Sequence, residues 1–299
     1  MVRVDEEKIL SSRKSFSFDD GGFSIKSSPY GSVEIRNIFD KPDGSSSEDY
    51  LGFDEKKMVL NRVNDGRDRS RVKTGINGFD ELISGGFERE SIVLLVGASG
   101  TGKTLFGLQY LYKGASEFNE PGVFISFEED RESLERHALQ FGWDFDRLEK
   151  ENKFRLVEFK PHQVTKILEE GGGQIRDALA EVSAKRVVID SITAYGLLYR
   201  DEYKRREKIL EFFNLLKRWG VTAVVICEDS PSDVEKEQNN IGFISDAIVS
   251  LYYEHTQDKG VRIHSLEVLK MRGTKHTNKV CAVIFESDGI TVYPDVEVF

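Results

Sequence analysis

From Arg71 onward the chain carries short runs rich in Val, Ile and Phe: "SIVLLVG", "GVFISF", "FRLVEF", "RVVID" and "VTAVVIC". Between them, apolar residues recur at helical spacing. The clearest helical segment is "KRREKILEFFNLLKRWG", in which Ile209, Phe212, Phe213 and Leu216 share one face and Gly220 supplies the stop. Apolar runs that alternate with helices predict a mainly parallel sheet covered on both faces. The last segments, "AIVSLYY", "RIHSLEVLK", "VCAVIFE" and "ITVYP", have no helix-period stretch between them. They predict antiparallel strands that finish one edge of the sheet. The expected fold class is α/β.

Upstream of residue 71 the texture differs. Gly and Ser recur in polar clusters ("DDGG", "SSPYGS", "DGSSSED"), and apolar residues are isolated or in brief alternation. Such a segment buries little surface for the entropy it would lose. The expected organisation is therefore a flexible or partly ordered extension over residues 1–70, with one hairpin around residues 22–39, followed by a single domain over 71–299. A partner-docking or regulatory arm is the functional alternative for the extension.

Composition narrows the classes. At 299 residues with 39% hydrophobic content the chain can build one sizeable core. A net charge of −10 argues against a general polyanion binder, because phosphate contacts need clustered Lys and Arg. The two cysteines, Cys227 and Cys281, lie inside strand-like runs and read as buried thiols; without CxxC or HExxH spacing, neither a zinc site nor a disulfide framework is expected. The opening "MVRVDEEKIL" is too charged for a signal peptide, and no apolar run approaches the roughly 20 residues that span a bilayer. A soluble, cytoplasmic protein with no membrane partner is the expectation. His137, His162, His255 and His264 are scattered without metal spacing and read as surface or core residues.

The strongest chemical signal is "VGASGTGKT". Gly97, Gly102, Lys103 and Thr104 fit the GxxxxGK[ST] phosphate loop, placed between a strand and a helix. Glycines let successive backbone N–H groups turn inward toward phosphate oxygens, the lysine neutralises the β and γ oxygens, and the helix N-terminus adds its dipole. Ser99, Gly100, Thr101, Gly102, Lys103, Thr104 and Leu105 are the expected ATP-binding residues, with the Thr104 hydroxyl on Mg²⁺. Asp190 closes "RVVID" and is expected to approach the Mg²⁺ shell from the strand next to the loop strand. Glu128 and Glu129 follow "FISF", where a carboxylate can polarise the attacking water.

With these residues in view, "TGINGFDELISGGF", "GASGTGKTLFGLQYLYKG", "EFNEPGVFISFEED", "FGWD", "VVIDSIT", "FISDAIVSLYY" and "LKMRGTKH" resemble, in order, the motifs of the KaiC family within the RecA superfamily. The resemblance covers roughly residues 71–295. It implies a RecA-like P-loop NTPase core that assembles into a homo-oligomeric ring, usually a hexamer, with nucleotide between subunits. It further implies that Glu128 activates the water with Glu129 as its helper. Finally, it implies that Lys270, Met271, Arg272, Thr274 and His276 reach the triphosphate held by the adjacent subunit. Phe141, in "FGWD", reads either as an adenine contact or as core packing.

Two departures limit the transfer. The clock protein of this family has two such domains in tandem, and this chain carries one, preceded by an extension that the resemblance does not cover. Where the autophosphorylating domain has a Ser-Thr pair, this chain has Gly242 and Phe243, so an autophosphorylating kinase is a secondary expectation only. Three classes remain. The first is a ring ATPase acting as a regulatory switch whose nucleotide state an unidentified protein partner reads. The second is a RecA-like recombination or repair ATPase. The third is a module that holds ATP without turnover. DNA is not an expected partner. After "VVIC" come Glu228, Asp229, Asp233, Glu235 and Glu237, and the cluster Arg200, Lys204, Arg205 and Arg206 beside Tyr199 and Tyr203 is interleaved with acids.

Overall fold

The computed structural model describes residues 16–19, 22–25, 71–228, 241–255 and 261–297. The chain separates into two compact units, Met1–Gly66 and Arg67–Phe299. In the first, β1 (Phe16–Asp19) and β2 (Gly22–Ile25) pair antiparallel with Phe18 opposite Phe23. Most of the expected hairpin span, residues 26–39, lies outside the described residues; residues 22–25 form the second strand of this pair. The overlooked signal is Asp20-Gly21 between two Phe-alternating stretches, a pair suited to two-residue hairpin loops.

The second unit runs α1 (Phe79–Leu82), β3 (Ile92–Val96), α2 (Lys103–Glu117), β4 (Gly122–Ser126), α3 (Arg131–Leu139), α4 (Phe145–Lys150), β5 (Phe154–Glu158), α5 (Pro161–Glu169), α6 (Gly173–Glu181), β6 (Arg186–Asp190), α7 (Ile192–Gly196), α8 (Glu202–Arg218) and β7 (Thr222–Cys227). It ends with α9 (Ile241–Ile244), β8 (Ala247–His255), β9 (Arg262–Met271), β10 (Cys281–Glu286) and β11 (Gly289–Glu297). Nine of these strands form one sheet in the order β11-β10-β9-β8-β3-β7-β6-β4-β5. From β8 to β5 all neighbours are parallel; from β8 to β11 all are antiparallel. One expectation needs correcting. "AIVSLYY" is not an antiparallel edge strand but a member of both halves, parallel to β3 on one side and antiparallel to β9 on the other. An apolar run cannot announce its partner's direction, because that depends on what crosses over between them.

Both faces of β3 are dry. Val93 and Leu95 pack with Phe79, Phe106 and Tyr110 on one side, while Ile92, Leu94 and Val96 pack with Phe212, Phe213 and Leu216 on the other. This explains why the strand is continuously apolar rather than alternating. The Ile209–Leu216 face of α8 is buried as expected, and the helix ends where Gly220 takes a φ of 68°.

The sheet carries one fully buried guanidinium. Arg186, the first residue of β6, has no exposed surface. Its Nε and Nη2 donate to Glu120 Oε2 at 2.8 and 2.6 Å, Nη1 donates to Tyr110 O at 2.8 Å, and Nη2 also reaches Lys73 O at 2.8 Å. The Tyr110 ring lies 4.6 Å from the guanidinium carbon. A Cβ on Gly114 would come within 2.5 Å of Arg186 Cδ, so this helical glycine makes the room that the arginine occupies. Removing one partner of a buried ion pair leaves the other uncompensated, at a cost of about 3–5 kcal/mol. Arg186→Leu is therefore expected to lower the unfolding free energy by about 3 kcal/mol in urea titrations, the low end because Glu120 keeps some water access. A loss under about 1 kcal/mol would mean that the four contacts do not act as a unit.

Candidate functional site

Six parallel strands point their C-terminal ends at one rim, and the residues singled out by the phosphate-loop motif lie there. β3 delivers Gly97, whose position excludes a side chain: a Cβ would lie 2.6 Å from Leu251 O and 2.6 Å from Thr101 Oγ1. Gly102 has a φ of +94°, and a Cβ on it would meet the Phe285 ring at 2.6 Å. Helix α2 opens at Lys103 without a side-chain cap, so its first-turn N–H groups are available to an anion. Lys103 is buried, and its Nζ donates to Ala98 O at 2.8 Å. Burial lowers its pKa, and the carboxylates of Glu228, Asp190 and Glu128 oppose that shift.

Thr104 Oγ1 donates to Asp190 Oδ2 at 2.7 Å. The expectation that Asp190 comes from the strand beside β3 does not hold, since β7 lies between β3 and β6. The two residues nonetheless meet because α2 packs across the sheet face against β7 and β6, with Gly107 close to Val188 and Ile226, so that Thr104 in its first turn reaches the end of β6. Burial pushes Asp190 up to about 6, the Thr104 hydrogen bond works against this, and Glu128 and Glu129 reinforce it. A hydroxyl and a carboxylate at this separation are the oxygen donors that a hard cation takes, and Mg²⁺ fills its remaining positions with water and phosphate oxygens. The pair fits Mg²⁺, and the buried, electrostatically crowded carboxylate gains most from a cation beside it.

The two glutamates after β4 diverge. Glu128 is exposed, and its Oε1 accepts from Ser191 Oγ at 2.6 Å. Glu129 turns the other way, its Oε2 accepting from Ser133 Oγ at 3.1 Å with His137 Nδ1 at 3.5 Å. A cleft of about 360 Å³ runs over this region, lined by Lys103, Thr104, Glu129, His137, Phe141 and Glu228 among others. Phe141 faces this cleft and also stacks on Trp143 at 5.0 Å.

Several residues read as bland, or not singled out, stand here. His137 shares the cleft. His264 Nε2 lies 3.3 Å from Gly100 O, stacks on Tyr253 at 4.0 Å and meets Phe285 edge-on at 4.5 Å. Ser191 is fully buried and connects Glu128 to the start of α7, where its Oγ accepts from Ala194 N at 3.3 Å. The alternation of His264 with Arg262 on one strand face was the available signal, but only the fold brings that face to the loop.

The remaining five expected residues are not part of this cluster. Met271 pairs with Ala247, which pairs with Val93 near the start of β3. Leu251, four residues along β8, is the residue that abuts Gly97. About 13 Å of strand therefore separates the β9 terminus from the chain's own phosphate loop. There Lys270 Nζ donates to Gly242 O and Ser245 O, both at 2.7 Å, and Arg272 Nη2 donates to Phe243 O at 2.7 Å. Thr274 Oγ1 accepts from Arg71, Met271 is buried, and His276 Nδ1 lies 2.7 Å from Thr277 O.

A family model described as "ATPase: KaiC" matches residues 72–297. The chain is 37% identical over 230 residues to the circadian clock oscillator protein KaiC of Prochlorococcus marinus, a match covering 75% of this chain and 45% of that protein. It thus spans about half the length of the clock-protein relatives it matches. A UPF0273 protein of Methanocaldococcus jannaschii is 32% identical over 238 residues, covering 75% of this chain and 97% of the relative. Among solved structures, the crystal structure of a KaiC-like protein from Pyrococcus horikoshii is similar with a TM-score of 0.66 and 37% identity, covering 75% of this chain and 99% of the other. Among the described residues, no helix is long and apolar enough to cross a membrane.

The raised Asp190 carboxyl gives a stability prediction whose sign can be worked out. Its folded pKa of about 6 exceeds the ordinary 3.8, so ionisation is harder in the folded state. The resulting penalty is absent below about pH 4, grows to about pH 6 and persists above it, reaching at most about 3 kcal/mol. Asp190→Asn should therefore melt higher than the parent at pH 7.5 in nucleotide-free buffer and equally at pH 4. Addition of ATP with Mg²⁺ should raise the parent's Tm more than the mutant's. Equal Mg²⁺-dependent gains in the two proteins would remove Asp190 from the metal site.

Proposed function

The chain belongs to the KaiC family of ATPases, and we propose that it binds and hydrolyses ATP as a homo-oligomeric ring, with each nucleotide held between two subunits and the assembly serving as a regulatory switch. The observation that supports this most is the separation within the sheet. The phosphate loop and the basic β9 terminus lie toward opposite ends of the strands, about 13 Å of strand apart, which favours Lys270 and Arg272 acting on another copy's nucleotide. Copies stacked face to tail would bring one chain's loop to the next chain's basic turn.

In this reading the loop amides and Lys103 bind the β and γ phosphates, and Thr104 with Asp190 would hold Mg²⁺. The cation, when bound, draws charge from the phosphate oxygens. Glu128 orients a water molecule toward the γ phosphorus and accepts its proton, with the carboxylate aimed by the Ser191 hydroxyl. Glu129, turned toward Ser133 and His137, tunes the field around that carboxylate rather than taking the proton itself. Arg272 of an adjacent copy, with Lys270 beside it, meets charge developing on the transferred group. A cytoplasmic setting and a protein partner that reads the nucleotide state complete the reading.

Two measurements test it. Glu128→Gln should keep ATP affinity and lose turnover by roughly 10²-fold or more, because the amide retains shape but accepts no proton. Unchanged phosphate release would assign the base elsewhere. Arg272→Ala and Lys103→Ala should each be nearly inactive, since an arginine reaching the γ phosphate from another subunit is worth roughly 10³–10⁵ in rate. After subunit exchange the mixture should recover part of the activity, because some interfaces then pair an intact loop with an intact Arg272. Exchanged mixtures no more active than their components would defeat the shared-site reading.

A further inference from the structure

The turn that follows β9 is poorly held by its own backbone. Gly273 has a φ of +66°, and Thr274 N reaches Met271 O only at 3.4 Å. Arg272 N donates to Asp246 O at 2.9 Å, and beyond it the turn is tied to a distant stretch of chain, residues 71–88. Thr277 N donates to Leu82 O at 3.0 Å, and Ser84 Oγ donates to Lys275 O at 2.6 Å. At the head of that stretch, Arg71 Nη2 donates to Thr274 Oγ1 at 2.9 Å while Nη1 donates to Gly86 O at 2.9 Å. The Glu88 carboxylate lies 4.0 Å from the same guanidinium, and the Arg71 side chain is 23% exposed.

We propose that Arg71 is a positioning residue for the turn Arg272–His276, fixing it in the pose in which it meets an adjacent copy's triphosphate. The proposal rests on the preceding reading that this turn acts on a neighbour. Three points carry it. A planar guanidinium can serve two acceptors at once, and here they belong to two segments, Gly86 and Thr274, that nothing in the sequence places together. The bond joins the turn at Thr274, one of the residues read as completing the neighbouring site, while the side chains of Lys270 and Arg272 are already anchored to the Gly242–Ser245 carbonyls. Arg272 is held by Asp246 O and Phe243 O, but without Arg71 Thr274 is left with its long 3.4 Å bond to Met271 O, and a displacement of about 1 Å in a group that meets a reacting phosphate costs about 10²-fold in rate. Arg71 itself touches no nucleotide. It lies at the loop-distant end of the sheet, so any effect it has on turnover must pass through the turn to another subunit.

That last point separates a positioning role from a merely structural one. Arg71→Ala should bind ATP at its own phosphate loop with parental affinity and lose roughly tenfold to a hundredfold in kcat. Arg71→Lys, which keeps the stem but offers one compact donor, should fall between the two. Mixed with Lys103→Ala under subunit exchange, Arg71→Ala should recover activity, because its own loop is intact and the Lys103→Ala copy brings an intact turn. Mixed with Arg272→Ala it should recover none, because both lesions fall on the same face. Parental kcat in Arg71→Ala would overturn the proposal. So would failure of the Arg71→Ala and Lys103→Ala mixture under conditions where Arg272→Ala and Lys103→Ala do recover, a result that leaves the shared-site reading standing. If neither mixture recovers, the shared-site reading falls and the proposal falls with it. Should Arg71→Ala not fold, Arg71→Lys takes its place in both mixtures with the same outcomes.

Discussion

A positive charge sealed from water has to be answered by the protein, and the answer given to Arg186 organises much of the parallel core. Its partners are Glu120 just before β4, the Tyr110 carbonyl on α2 and the Lys73 carbonyl upstream of α1. These groups enter the sheet from three different directions. Leaving any of them unmet would strand a charge or a carbonyl in a medium that cannot solvate it. The register of β6 against β4, Arg186 opposite Gly122 through Asp190 opposite Ser126, is thereby pinned at its first residue. Four residues further on, the same strand delivers Asp190 beneath Thr104. The chemistry at one rim of the sheet is set by a neutralised charge at the other.

What could be seen in the sequence was what depends on local backbone chemistry. "GASGTGKT" specifies a loop in which Gly100 and Gly102 take positive φ, a local backbone demand that declares itself without knowledge of the fold. The apolar face of α8 and the two-sided burial of β3 were legible for the same reason: periodicity is a local property. Sheet order is not local. That β7 intervenes between the loop strand and the Asp190 strand, or that β8 is parallel to one neighbour and antiparallel to the other, follows from crossover geometry. Arg186 was hidden because a lone arginine opening a strand looks like any surface residue. The only trace of its burial was Gly114 inside an otherwise good helix, a position where glycine costs stability unless something needs the space.

The rim also shows how a functional site strains against stability. Asp190, Glu128 and Glu129 are brought together with Lys103 as the cation that offsets the burial of Asp190, and Asp190 is held by burial in a state that resists ionisation. A core optimised for folding alone would put an amide or an aliphatic residue there. The arrangement is instead complementary to something that brings positive charge and phosphate oxygens. The Ser191 hydroxyl, fully buried and shared between Glu128 and the first turn of α7, is a fixed point on which the otherwise exposed Glu128 side chain is hung.

Strand β9 runs from Arg262 to Met271, and its two ends lie in different surroundings. Near its start His264 touches the carbonyl of Gly100 in the phosphate loop; its end leads into the basic turn. A contact that joins the loop of one copy to the turn of another is heterologous, and a heterologous contact has a front and a back. Rings built this way possess a sense of rotation, clockwise distinguishable from anticlockwise. In such a ring the two neighbours of any copy would meet different ends of its β9, one through the loop and one through the turn.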